Sequence, residues 1–268
     1  MSLVLAEAAA LWHPGSVMTA GLTVLYRDQH LLGVAKPSGL LVHNGWAREP
    51  DVALRRARSL VGQYVYPVHR LDRGTSGVLF FALSSEIARE MQAVLRSTDT
   101  SKRYVALVRG VTPDAGVVDH PIAPKKGAEK RDAVTHFWRL GSFERYSLVL
   151  ARPLTGRLHQ IRRHLKHLSH PLIGDVRYGK SEHNRKLRGR FGLARLALHA
   201  LAYEFTHPVS SARVVVHAHL PADLLGPLSS MGLLECVPGP GAHALANAAL
   251  VSDSARILDN HEGERGCR

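Results

Sequence analysis

The stretch His69-Arg70-Leu71-Asp72-Arg73-Gly74-Thr75-Ser76-Gly77 runs directly into the apolar residues Val78-Leu79-Phe80-Phe81-Ala82-Leu83, and this junction decides the architecture. An apolar run of that length, bounded by polar residues, reads as a buried strand. The loop before it sets one carboxylate, Asp72, between two arginines at the mouth of the strand. A carboxylate aimed into a cleft can serve as a nucleophile. Asp72 and Ser76 can equally hydrogen-bond the turn backbone, the commoner role of such residues in loops.

Upstream of this junction, 24–26 and 31–35 read as strands joined by a polar link, and Lys36-Pro37-Ser38-Gly39 as a turn. A strand over 40–43 and an Ala-rich, basic helix over 51–60, with Asp51 near its start, complete that side. Downstream, Ser84 or Ser85 caps a helix reaching about residue 97, with Ile87, Met91, Val94 and Leu95 on one face. Strands over 104–108, 116–119, 133–140 and 146–150 follow, interrupted by a basic loop at 123–132. A helix from 156 to 168 is closed by Pro171, strands over 196–205 and 213–219 come last, and a short helix follows Pro221. Strands in hairpin-like pairs with interspersed helices predict an α+β fold, a mixed or antiparallel sheet with flanking helices. Residues 1–21 read as a poorly ordered leader, 22–235 as a single catalytic domain, and 236–268 as a disordered tail beginning around the Pro238-Gly239-Pro240-Gly241 break.

Charge names the class of partner. Lys and Arg number 35 against 22 Asp and Glu, a net +13. Residues 151–200 alone hold 12 basic residues against Asp175 and Glu182, so +10 of that charge sits in one internal region. A concentrated basic region inside the body of a chain points to a polyanion. Cys236 and Cys267 stand outside any CxxC spacing, which argues against a disulfide framework and for a reducing cytoplasm. The 17 histidines include His164, His167 and His170 at spacing three, but no HExxH frame accompanies them, so no metal is expected. The absence of GxGxxG removes a methyltransferase-type cofactor loop. No run of about 18 apolar residues suggests a membrane span, and without coiled-coil heptads a monomer is expected.

A second informative stretch is Thr155-Gly156-Arg157-Leu158-His159-Gln160-Ile161-Arg162-Arg163-His164-Leu165. Wound as a helix, Leu158, Ile161, Leu165 and Leu168 form an apolar stripe about 80° wide, with His159, Arg163 and Lys166 beyond it. Arg162 falls at the boundary, where an arginine can bury its stem and aim its head at an acidic partner such as Asp72. An ordinary amphipathic helix with a solvated basic face would show the same pattern. Tyr104, in Lys102-Arg103-Tyr104 at the start of a strand, is either ordinary strand stock, a ring for stacking on an extruded base, or a phenol for proton transfer.

Taken together, HRLDRGTSG resembles the catalytic motif of the RluA family of pseudouridine synthases. The resemblance continues in the same order with KPSG at 36–39, KRYVALVRG at 102–110, TGRLHQIRRHL at 155–165, HPLIGD at 170–175, LALHA at 196–200 and THP at 206–208. It implies the pseudouridine synthase fold, an RNA substrate, an isomerisation and no cofactor. It further implies that Asp72 is the nucleophile, that Tyr104 packs on the target base, and that Arg162 pairs with Asp72. Arg70 is implied to enter the duplex or fill the vacated stack. His69, Arg73, Thr75, Arg157, His159, Gln160, Arg163, Lys166 and His199 are expected to contact substrate. The His-rich RRHLKHLSHPLIGD, the bare SEHNRKLRGRFGLARLALHA and the lack of room for a leading S4 domain resemble family members acting on tRNA uridine 65. Ribosomal RNA is the alternative substrate, and a non-catalytic RNA-binding protein the alternative function. Gly74, where Pro is often found, and the short 123–132 loop depart from the family pattern.

Overall fold

The computed structural model describes residues 18–19, 21–44, 49–125 and 127–239, so most of the segments read as leader and tail lie outside the described residues. The first strands are β1 (Met18–Thr19), β2 (Leu22–Arg27), β3 (Leu31–Lys36), β4 (Tyr66–Pro67), β5 (Ser76–Ala82) and β6 (Ser101–Arg109). The remainder are β7 (Ala115–Asp119), β8 (Val134–Phe143), β9 (Tyr146–Pro153), β10 (Leu198–Thr206) and β11 (Arg213–His217). Helices are α1 (Ala53–Val61), α2 (Ser85–Val94), α3 (Gln160–His167), α4 (Ser181–Phe191) and α5 (Ala222–Ser230). The strands make one sheet in the order β1-β2-β3-β5-β10-β6-β9-β8-β7, with β4 beside β5 and β11 beside β10. Every pair is antiparallel except β5 with β10, so the sheet is mixed and the fold α+β.

Alternation along the central strands divides the interior between the two faces of the sheet. On β6, Tyr104, Ala106 and Val108 belong to one core, and Val105 and Leu107 to the other. The first core is covered by α1, α2 and α3 through Ala53, Ala57, Ile87, Met91, Ile161 and Leu165. The second is covered by α4 and α5 through Leu187, Leu224 and Leu228. Strand β5 is buried over its whole length, as its unbroken apolar run requires in the middle of a two-sided sheet.

Several elements differ from the sequence expectation. Residues 40–43 form only an isolated bridge, Leu41 with Val52, because the carbonyls of Leu41 and Val42 accept the first free N–H groups of α1, from Ala53 and Leu54. That backbone cap replaces the side-chain cap that α1 lacks, and Asp51 pairs with Arg56 instead. Helix α3 begins four residues later than expected, after His159 turns the chain in the left-handed region at φ 55°. Leu158 therefore leaves the apolar stripe and is 41% exposed. The basic stretch at 181–191, assigned no element from sequence, is helix α4, anchored by the single buried residue Leu187. Met18–Thr19, within the leader, pair with β2.

The β5–β10 junction is the tightest point of the sheet. Gly77 has φ 114°, and a Cβ there would stand 2.1 Å from the Ala200 carbonyl oxygen. Beside it, Ser76 Oγ accepts from Arg195 Nη2 at 2.7 Å and meets His199 Nδ1 at 2.8 Å, while His199 Nε2 meets the Ala218 carbonyl at 3.0 Å. A donor at one end and an acceptor at the other set the direction, so His199 donates from Nε2 to Ala218 and accepts from Ser76 through Nδ1. His199 was expected to contact substrate. It stands instead 1% exposed in the core, where it ties β5 to β10 and to the end of β11. Burial pulls its pKa down from 6.5 to about 4.

Gly77→Ala is expected to cost roughly 2–4 kcal/mol, a strained φ and a backbone clash together, read as a lower denaturation midpoint with the slope unchanged. A midpoint equal to wild type would show that β10 can move aside. The buried His199 gives a second expectation. Between pH 6.5 and about 4 the unfolded chain holds a proton on this imidazole that the fold does not. Stability therefore falls as pH falls through that window and is recovered on raising it, by roughly 2–4 kcal/mol in all. His199→Gln, which cannot titrate, should flatten the acid slope of a pH series of melting temperatures.

Candidate active site

Asp72 lies on the loop between β4 and β5, and the preceding turn holds that loop in place. Gly39 N–H donates to the Arg73 carbonyl at 2.8 Å, and Ser38 Oγ donates to the Gly74 carbonyl at 2.8 Å. Lys36 is buried at the end of β3, and its ammonium donates to the carbonyls of Pro37, Leu40 and Arg73. Burial, with repulsion from Arg195, draws the Lys36 amine down to about 7. The loop closes on itself where Thr75 N–H donates to the Asp72 carbonyl at 3.0 Å. Both residues after Asp72 are thus gripped by main-chain contacts, which fix where its side chain emerges.

The carboxylate meets α3 there. Arg162 Nη1 donates to Asp72 Oδ2 at 2.8 Å. Its other two nitrogens form a fork on Asp175, Nε to Oδ2 at 2.7 Å and Nη2 to Oδ1 at 3.0 Å. Asp175 Oδ1 also accepts the N–H groups of Arg177 and Tyr178 at 2.9 and 3.0 Å. Burial works to raise Asp175, but Arg162 and those N–H groups hold it below the ordinary carboxylate range. Burial works to lower Arg162, and the two carboxylates raise it instead. The guanidinium is a permanent cation with a fixed address. Asp72 Oδ1, the oxygen that Arg162 does not hold, has His159 Nε2 at 3.8 Å, beyond hydrogen-bond range.

A cleft of about 770 Å³ opens over this group, lined among others by Asp72, Tyr104, His159, Arg162 and Tyr203. That volume suits a small-molecule ligand or an extruded nucleoside. Tyr104 and Tyr203 join their hydroxyls at 2.6 Å across β6 and β10. Burial pushes the Tyr104 phenol up to about 12, the Tyr203 hydrogen bond opposing it and Asp72 adding to it. Tyr104 is therefore a protonated, largely buried ring on the cleft wall.

Of the residues expected to contact substrate, Arg70, His69, Thr75, Arg157, His159 and Gln160 line the cleft, whereas Arg73, Arg163, Lys166 and His199 do not. Arg73 turns outward to Glu49 and the Gly39 carbonyl, so the cation beside Asp72 comes from α3 and not from the flanking sequence. Arg163 donates to the Ala123 carbonyl, and Lys166 is exposed on the outer side of α3. Gln160 is committed to the scaffold, its amide bonded to Thr155, Arg157, Val134 and Thr135. His69 accepts the Phe80 N–H and stacks on Tyr203, with burial pulling it down to about 3. Thr75 is 2% exposed, and its hydroxyl has no hydrogen-bond partner among the described residues.

Sequence reasoning did not pick out Asp175, Tyr178, Tyr203 or Lys36 as parts of the site. Asp175 and Lys36 carried a usable signal, since each is a charged residue inside an apolar or turn motif, where burial demands a partner. Tyr203 sits in the apolar alternation of β10 and looks like core. Tyr178 gives no signal in the sequence. The His164, His167 and His170 series is structural. His164 bonds Thr135 and the His120 carbonyl, His167 stacks on His120, and His170 bonds the Arg109 carbonyl. Among the described residues no group of three His, Cys, Asp or Glu is placed to hold a metal.

Residues 30–167 match the family model described as RNA pseudouridylate synthase. The chain is 42% identical over 221 residues to a tRNA pseudouridine synthase C of Haemophilus ducreyi, covering 74% of this chain and 91% of that one. It is 40% identical over 240 residues to a tRNA pseudouridine synthase C of Pectobacterium carotovorum, covering 81% of this chain but 64% of that protein's length. Among solved structures, human RNA Pseudouridylate Synthase Domain Containing 4 aligns with a TM-score of 0.65 at 27% identity, over 78% of this chain and 92% of that one. A cleft with one arginine-held carboxylate beneath a buried tyrosine, on a sheet shared with these proteins, points to a single family: the chain belongs to the RNA pseudouridylate synthases.

Proposed function

We propose that this protein converts a uridine of tRNA, of the uridine 65 type, to pseudouridine, with Asp72 as nucleophile and as a monomer needing neither metal nor cofactor. The observation that carries the reading is the asymmetry of the Asp72 carboxylate: Oδ2 is held by Arg162, and Oδ1 is left to the cleft. The tRNA substrate is supported by the relatives at 40% and 42% identity, both named tRNA pseudouridine synthase C. No helix among the described residues is long and apolar enough to cross a membrane, in keeping with work on cytoplasmic RNA.

The reaction breaks the C1′–N1 bond, turns the uracil and joins C5 to C1′, while C5 loses a proton and N1 gains one. Electrons neither enter nor leave, so acid–base and nucleophilic groups suffice. The base must first leave its stack, which costs a few kcal/mol. Phosphate contacts from Arg70, Arg157 and the exposed bases of α3 and α4 offset that cost and make binding fall steeply with salt. Tyr104 packs against the extruded base, its phenol held protonated by burial. Arg162 fixes Asp72 and supplies a compensating charge as the carboxylate's environment changes through the reaction.

Carbodiimide mapping of pseudouridine in cells carrying Asp72→Ala should lose its signal at one acceptor-arm uridine of tRNA. Loss confined to ribosomal RNA would move the substrate, and an unchanged map would remove the enzymatic reading. Arg162→Met is expected to lower kcat about 100-fold. It should also destabilise the fold, because Asp175 is left buried without its cation. Adding Asp175→Asn should restore melting temperature but not turnover. Turnover restored along with stability would show that Arg162 serves the fold alone.

A further inference from the structure

Tyr178 touches both residues that reach Asp72, yet it does not line the cleft. Its hydroxyl meets His159 Nδ1 at 3.0 Å, and the Arg162 guanidinium carbon lies 5.1 Å from its ring centroid. Its own N–H is bonded to Asp175, which fixes the start of the side chain relative to Arg162. His159 holds a left-handed φ of 55°, a conformation that residues other than glycine adopt only where the surroundings impose it. That conformation turns the imidazole so that one nitrogen faces Tyr178 and the other faces Asp72.

A neutral imidazole has one donor and one acceptor nitrogen, so two arrangements are open. If Nδ1 donates to the tyrosine oxygen, the Nε2 lone pair confronts a carboxylate oxygen 3.8 Å away. If the tyrosine hydroxyl donates to Nδ1, the proton sits on Nε2 and points at that oxygen. The second arrangement aligns hydroxyl, imidazole and carboxylate in one direction, and the first sets two electron-rich atoms against each other. At 3.8 Å the N–H is too far to occupy Oδ1 with a hydrogen bond and near enough to orient it.

We infer that Tyr178 is a positioning residue for the reaction: by donating to His159 Nδ1 it keeps an N–H directed at Asp72 Oδ1, the oxygen left free to react. This rests on the pseudouridine synthase reading. It is the Tyr178 hydroxyl that acts through His159, while the ring and N–H contacts to Arg162 and Asp175 are the same in a phenylalanine.

The experiment uses the full chain and a tRNA transcript labelled at uridine C5, with label release reporting turnover. Tyr178→Phe keeps the ring and removes the hydroxyl; kcat should fall about tenfold while KM stays within about twofold and the melting temperature holds. His159→Gln places an amide N–H near the position of Nε2 with no tautomer to be set. In that background Tyr178→Phe should change kcat by less than about twofold. An unchanged kcat for Tyr178→Phe, or an equal loss in the His159→Gln background, overturns the inference. ¹⁵N NMR of histidine-labelled wild-type protein tests it with no variant at all, and a proton found on Nδ1 of His159 overturns it. Wild-type protein that releases no label from any RNA would instead remove the functional reading, so the two failures are distinguishable.

Discussion

Arg162 brings a charge into the interior that cannot be shed, and much of the structure is arranged around accommodating it. A buried guanidinium is tolerable only where carboxylates and good geometry repay its desolvation. Here Asp175 takes two nitrogens in a fork and Asp72 takes one. Three segments must therefore converge: the loop before β5, the first turn of α3 90 residues further on, and the turn after Leu172 that presents Asp175. Gly174 packs equally tightly on a fourth segment, the approach to β10, since a Cβ there would stand 1.7 Å from the Arg195 carbonyl oxygen. Arg162, Asp72 and Asp175 together carry two negative charges and one positive, and Arg70, Arg96, Lys102 and Arg157 line the cleft around them.

The basic residues accordingly divide into two populations that composition cannot separate. Arg162, Arg195 and Lys36 point inward and are saturated by carboxylates, hydroxyls and carbonyls. Arg185, Arg188 and Lys166 remain on the surface of α4 and α3. The +10 region at 151–200 thus overstates the available RNA-binding charge and understates the scaffold. Both populations occur on one element: on α3, Arg162 is buried beside the cleft and Lys166 is exposed.

How much of this was legible follows the physics of each signal. Strand β5 was plain because an unbroken apolar run of that length between polar residues fits little besides a buried strand, and the mixed α+β sheet followed from paired short strands. Arg162 was legible because a helical wheel put it at the edge of an apolar stripe, even though the helix starts later than the wheel assumed. That shift changed the fate of Leu158 and His159 and left Arg162 alone, since Ile161 and Leu165 still define the buried face. What could not be read were contacts made at long range by backbone. The 40–43 segment looks like a strand and serves as a helix cap. Gln160 looks like a polar contact residue and is consumed by the loop before α3 and by β8. His199 looks like a surface histidine of an RNA-binding protein and proves to be a strut between strands. Such assignments depend on which carbonyl lies opposite, which is a property of topology and not of local sequence.

Strand β10 lies between β5 and β6, although it is made long after either of them. Until residues 198–206 are available, β5 and β6 have open edges facing a gap, and Ser76 waits for a partner 123 residues away. Closing so long a loop is slow, and unpaired edges of buried strands invite association with other chains. During synthesis on the ribosome, the loop of Asp72 and the helix of Arg162 therefore emerge well before the strand that locks their platform. Until then the cleft lacks the wall that Tyr203 supplies, and the chain exposes strand edges that the finished sheet conceals.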